Sequence, residues 1–144
     1  MTTTPSLTIR IVIGKALGLV FGIITFFMLP ASIPDASPLL PWGLMFWMIT
    51  LGLMVALMGV VTWHPVLGIP LPWWFRAPLV GAWMNFVLVF LIYDQLQISL
   101  INLMGPDSFF LSPFWYVVDG AIIGLIIGFV ATRFGGEGKE AVDL

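Results

Sequence analysis

Asp119 is the residue of this chain with the most to do chemically. It is a carboxylate inside the fourth long apolar stretch of a sequence in which only 8% of residues are charged. An ionised side chain at that depth costs about 2.5 to 3.5 kcal/mol even on lenient insertion scales. A buried partner, a water-filled cavity or protonation must offset the cost. Tyr116 one turn earlier and Asn85 in the third apolar stretch are polar candidates, and Asp94 closes that third stretch. Asp119, Tyr116, Asn85 and Asp94 together form a candidate intramembrane polar site with two readings. A carboxyl that can exchange a proton is what a proton-coupled or cation pathway uses, whereas a hydrogen-bonded or water-exposed one is structural. Asp35, Asp94 and Asp107 have no basic residue nearby in sequence and would bias their face toward cations, although loop acids are also ordinary solvated charges.

Other chemistries have no residues to carry them. Cysteine is absent and His64 is the single histidine, which excludes disulfides, thiolate nucleophiles and metal sites with several protein nitrogen or sulfur ligands in one chain. His64 reads as a loop residue. No metal or cofactor is expected, and no phosphate-binding glycine loop, nucleophile elbow or basic nucleic-acid patch is present. The Tyr93-Asp94 pair with Asp119 resembles the paired carboxylates of intramembrane aspartyl proteases, which share a proton to activate water. It departs from them at the motif itself, because Val117-Val118-Asp119-Gly120 is not that family's G-x-G-D, and four spans are too few. No enzymatic activity is expected.

The elements that must hold these residues are membrane helices. Sixty per cent of the 144 residues are hydrophobic, against about 45 to 50% in water-exposed domains. Crossing a hydrocarbon core of about 30 Å takes about 20 apolar residues as helix. Four spans satisfy this, at about 10–29, 42–62, 77–93 and 114–133. Residues 1–133 read as one transmembrane domain, and 134–144, with three glycines and mixed charge, as a poorly ordered cytoplasmic tail. Pro30 is expected to end the first helix. Ser112-Pro113 reads as an N-cap and first-turn proline for the fourth. His64 to Arg76 carries three prolines and several aromatics, which predicts a non-helical loop resting at the interface. After Tyr93-Asp94-Gln95, the spacing of Leu96, Leu100 and Leu103 predicts either an extension of the third helix or a short helix on the outer surface.

Threading the spans puts all five basic residues, Arg10, Lys15, Arg76, Arg133 and Lys139, on one side. The positive-inside rule then makes both termini cytoplasmic. The first apolar run resembles a secretory signal in outline, but Gly14, Gly18 and Gly22 recur every four residues along one helical face, so it is read as a retained span.

A second such series, Gly120, Gly124 and Gly128, lies in the fourth span. Lipid gives helices no hydrophobic reason to associate, so close backbone approach over small residues supplies the packing. Both series are therefore expected helix contacts, within one chain or between subunits. At roughly 100° per residue, Asp119 falls off the glycine face. A Lys15–Asp119 salt bridge is opposed by depth, since about 15 Å would separate the two along the normal of a 30 Å core. Lys15 can instead snorkel to the interface.

The expected protein is all-α: a polytopic four-helix bundle in a prokaryotic inner membrane, embedded in lipid and associating with itself or with other membrane subunits. The expected role is a non-enzymatic packing subunit or self-associating scaffold. The alternative is a small oligomeric transporter or channel for protons, cations or a small solute using Asp119.

Overall fold

Local sequence signals account for most of the helix boundaries. The computed structural model describes residues 4–142. Helix α1, Leu7–Ser32, opens at Ser6, whose side chain accepts from the Ile9 backbone N–H at 3.4 Å, an N-cap that occupies one of the orphan donors of the first turn. The helix continues two residues past Pro30, its expected end. A proline so near the terminus removes one donor and leaves the rest of the ladder intact, a loss that membrane helices tolerate. Helix α2, Leu40–Leu57, carries Pro41 in its first turn and passes into a 3₁₀ turn, Met58–Val60. Helix α3, Trp73–Leu91, begins directly after Pro72.

At Ile92 the backbone (φ −137°, ψ 41°) leaves helical geometry, so the next segment is a separate helix α4, Tyr93–Met104, rather than an extension of α3. Gly105 stops it at φ 87°, a left-handed conformation that glycine adopts without steric cost. Helix α5, Trp115–Gly135, ends at Gly136 in the same way, with φ 67°. Its start corrects the expected cap. Ser112 makes no side-chain capping bond; Trp115 N–H bonds the Ser112 carbonyl at 3.1 Å and Tyr116 N–H the Pro113 carbonyl at 3.0 Å, so a tight turn precedes the helix. Residues 61–72 form a non-helical hairpin, closed by backbone bonds from Leu71 to Thr62 and from His64 to Ile69.

The stretches containing α1, α2, α3 and α5 are long and apolar enough to cross a membrane. They pack as two antiparallel pairs, α1 with α2 and α3 with α5. In the first pair, Gly14 lies against the Gly52 carbonyl, Gly18 against that of Met48 and Gly22 against that of Met45. In the second, Gly120 meets Gly81, and Gly124 and Gly128 meet Ala77. Each series is thus covered by a helix of the same chain. Met48, Leu51, Val55, Ala77, Ile123 and Ile127 form the core where the pairs meet, and Leu29, Ile33, Leu44 and Leu88 form a second cluster toward the α4 end.

The first and last described segments lie at one end of the bundle, where the Ser6 N–H bonds the Gly135 carbonyl at 2.9 Å. Two arginines organise this terminal end. Arg10, 1% exposed, donates from Nε to the Ala56 carbonyl at 3.0 Å, and from Nη1 to Thr132 Oγ1 at 3.3 Å and to the Gly136 carbonyl. Arg76 donates to the carbonyls of Val61 at 2.7 Å and Leu71 at 2.6 Å, and pairs with Glu137 at 2.8 Å. The guanidinium groups therefore occupy the C-terminal ends of α2 and α5, where unpaired carbonyls and the negative end of the helix dipole accumulate. Tail residues also make contacts here: Glu137 is bound by Arg76, Gly138 N–H bonds the Gly59 carbonyl at 2.9 Å, and Ala141 is buried. Residues 143 and 144 of the expected loose tail lie outside the described residues.

Candidate functional site

Between the two helix pairs, toward the end opposite the termini, lies a cavity of about 270 Å³. That volume holds about nine water-sized units at ~30 Å³ each. Phe21, Leu29, Leu44, Met48, Leu88 and Ile123 supply much of its apolar wall, and Asn85, Ser99, Tyr116 and Asp119 its main polar groups. The residues that line it and are also exposed are Ile24 and Met28 of α1, Leu103 of α4 and Asp119 of α5. The cavity is therefore open on the side between α1 and α5, helices that touch through Arg10 and Gly135 at the terminal end and are separated by the cavity further along.

Helix α4 roofs this space. Leu96, Ser99 and Leu103, spaced to share one helical face, point into it. Two side-chain bonds fasten the roof: Asn102 Nδ2 donates to the Ser32 carbonyl at the end of α1 at 2.8 Å, and the Tyr116 hydroxyl of α5 donates to Ser99 Oγ at 3.2 Å. The roof is thus tied to both helices that flank the opening.

Asn85, 1% exposed, is the polar hub of the wall. Its Oδ1 accepts from Trp47 Nε1 at 3.2 Å, and its Nδ2 donates to the Tyr116 carbonyl at 2.9 Å, joining α2, α3 and α5. Gly120 makes the geometry feasible: a Cβ there would stand 2.7 Å from Asn85 Cβ and 2.8 Å from Cγ, closer than carbon atoms pack. A glycine of the packing series is therefore also a condition for the polar hub.

The four candidate residues consequently occupy different situations. Asn85 is engaged at both ends of its amide, and the Tyr116 hydroxyl is engaged with Ser99. Asp94 is exposed at the start of α4 and does not line the cavity. Asp119 borders the opening with no hydrogen-bond or ion-pair partner among the described residues. Lys15 is exposed on α1 and unpaired with Asp119. His64 is a turn former: its Nδ1 accepts from the backbone N–H groups of Val66 at 3.2 Å and Leu67 at 3.1 Å. Among the described residues no cluster of His, Cys, Asp and Glu could hold a metal ion.

Sequence reasoning missed Trp47, Ser99 and Asn102 as members of the polar framework, and Arg10 and Arg76 as buried helix-end caps. For Arg10 a signal existed, because Arg10, Gly14, Gly18 and Gly22 form one ladder at intervals of four and so share a face. The contacts of Trp47 and Ser99 join helices distant in sequence and leave no local trace. No family model, curated protein or solved structure matches the chain.

Proposed function

We propose that this protein is a non-enzymatic, multi-pass membrane protein that takes up one lipophilic molecule from the bilayer through the side opening between α1 and α5. The observation that carries this reading is the cavity itself. It is mostly apolar, open laterally, and bounded by helices of membrane-spanning length. A space of about 270 Å³ lies just below the roughly 300 to 1,000 Å³ common for small-molecule sites, which likewise combine apolar walls with a few placed polar groups. Positive-inside asymmetry supports cytoplasmic termini, which would put the roofed end and Asp119 near the outer face of a prokaryotic inner membrane. A packing or scaffold role is less well supported, since the glycine series it would use are covered within the chain. Transport by an assembly of several copies would use the same cavity as its binding step.

Native mass spectrometry from mild detergent tests the binding reading. The wild-type chain should retain one small lipophilic adduct per copy. Ile24→Trp with Leu103→Trp, both at exposed lip positions, should lose it while keeping the helical circular-dichroism spectrum. Adduct retention unchanged by both substitutions, or no ligand-dependent rise in unfolding temperature for any lipophilic probe, would count decisively against the proposal.

A further inference from the structure

From the position of the carboxylate relative to the cavity we infer that the ligand is a single-chain lipophilic amine, its protonated head at Asp119 and its chain between α1 and α5. This rests on the cavity reading above and specifies the chemistry of the ligand. Asp119 is the one formally charged side chain that lines the cavity, and it stands at the opening rather than at the closed end. A cationic head would then sit at the lip while an apolar chain fills the interior, which is lined by Leu44, Met48, Leu88 and Ile123. The other polar groups of the wall are engaged within the protein: Asn85 with Trp47 and the Tyr116 carbonyl, the Tyr116 hydroxyl with Ser99, and the Thr25 and Ser32 hydroxyls with the Phe21 and Leu29 carbonyls. The carboxylate is thus the group left to recognise a ligand, and an ammonium ion complements it in charge and in hydrogen-bond donation.

Size limits the enclosed part of a ligand to one chain, and charge selects against a phospholipid. The space of about 270 Å³ holds about nine units of water or methylene size at ~30 Å³ each, enough to enclose one chain of about that length, with any second acyl chain left outside in the bilayer. A phosphate beside the amine would meet Asp119 with no Arg, Lys or His on the cavity wall to balance it. An amine without an anionic neighbour satisfies both constraints.

The experiment compares decylamine, decanol and decanoate as ligands of the full chain in phosphatidylcholine nanodiscs, with empty nanodiscs subtracting bilayer partitioning. Saturable 1:1 binding of decylamine is expected, at least tenfold tighter than that of decanol, with decanoate weaker still. Asp119→Asn, isosteric and at an exposed position, should remove the amine preference, bringing decylamine binding to within about twofold of decanol binding in the same variant. Equal binding of amine and alcohol, unaffected by Asp119→Asn but lost in Leu103→Trp, would overturn the amine assignment and leave the cavity reading standing. Binding by none of the three probes would overturn both. Retention of phosphatidylethanolamine in place of decylamine, when nanodiscs contain it, would overturn the single-chain assignment alone.

Discussion

Arg10 shows how one charged side chain near a helix start can be a structural part of the bundle. It reaches from the first turn of α1 to the ends of two helices running the other way. Its surroundings are shaped to admit it: a Cβ on Gly59 would fall on its guanidinium, and one on Gly135 would meet its Cγ. Replacing Arg10 with alanine removes a charged donor from the Ala56 and Gly136 carbonyls and from Thr132 Oγ1, where a hydrogen bond to a charged group contributes about 1.5 to 3 kcal/mol. Arg10→Ala should therefore lower the thermal unfolding midpoint in detergent by several degrees. Arg10→Lys should recover part of that loss, since an ammonium keeps the charge but not the planar fork. Equal stability of wild type and Arg10→Ala would show that water replaces the arginine without cost. Asn85 is comparable in kind, spanning three helices with one amide, and Asp119 differs from both because its polar atoms have no such partners among the described residues.

At the level of elements, the two helix pairs are built on backbone contact. Gly52 lies so close to Gly14 that a Cβ would collide with the Gly14 carbonyl, and Gly81 stands in the same relation to Gly120. Gly43, in the same helix as Gly52, has nothing within 4 Å of its Cβ direction. Alanine substitution should then act with opposite signs along one helix. Gly52→Ala is expected to destabilise by about 1 to 3 kcal/mol through overpacking. Gly43→Ala should be neutral or stabilising by up to about 1 kcal/mol, because alanine is the better helix former. Denaturant titration followed by circular dichroism measures both, and a destabilisation of the same size at the two positions would refute close packing as the cause. Helix α4 is the element of opposite character, a short amphipathic segment held over the cavity by two side-chain bonds rather than by close backbone contact.

For the whole molecule, four membrane-length helices with the first and last described segments at one end leave one topological alternative, the sign of insertion. Arg10, Lys15, Arg76, Arg133 and Lys139 all belong to the terminal half of their helices or to the segments joining them there, the end that the orientation proposed above, from the positive-inside rule, places in the cytoplasm. The native chain contains no cysteine, so single introduced cysteines report without background. In intact cells a membrane-impermeant maleimide should label Asp35→Cys and Asp107→Cys. It should reach Lys139→Cys only after permeabilisation; the reverse pattern would invert the topology. Two of the three arginines are buried in hydrogen bonds at this end, so the charge bias and the caps that close the bundle are partly the same residues.

Composition and periodicity were enough to read the class, the approximate spans, the glycine faces and the oddness of Asp119, because each is a local property of hydropathy, spacing or charge. The boundaries moved where a local rule met a tertiary one: α1 runs past Pro30, and α5 starts after a turn instead of a Ser112 cap. Whether the glycine series join helices of one chain or of two was undetermined at that level, since a small-residue stripe is equally complementary to any close neighbour. Tertiary structure decided it by setting α1 on α2 and α3 on α5. The same arrangement engaged Asn85 and Tyr116 within the wall, left Asp94 outside it, and opened a cavity beside Asp119. A cavity is a volume left between surfaces contributed by five helices, and no spacing along a single helix encodes it.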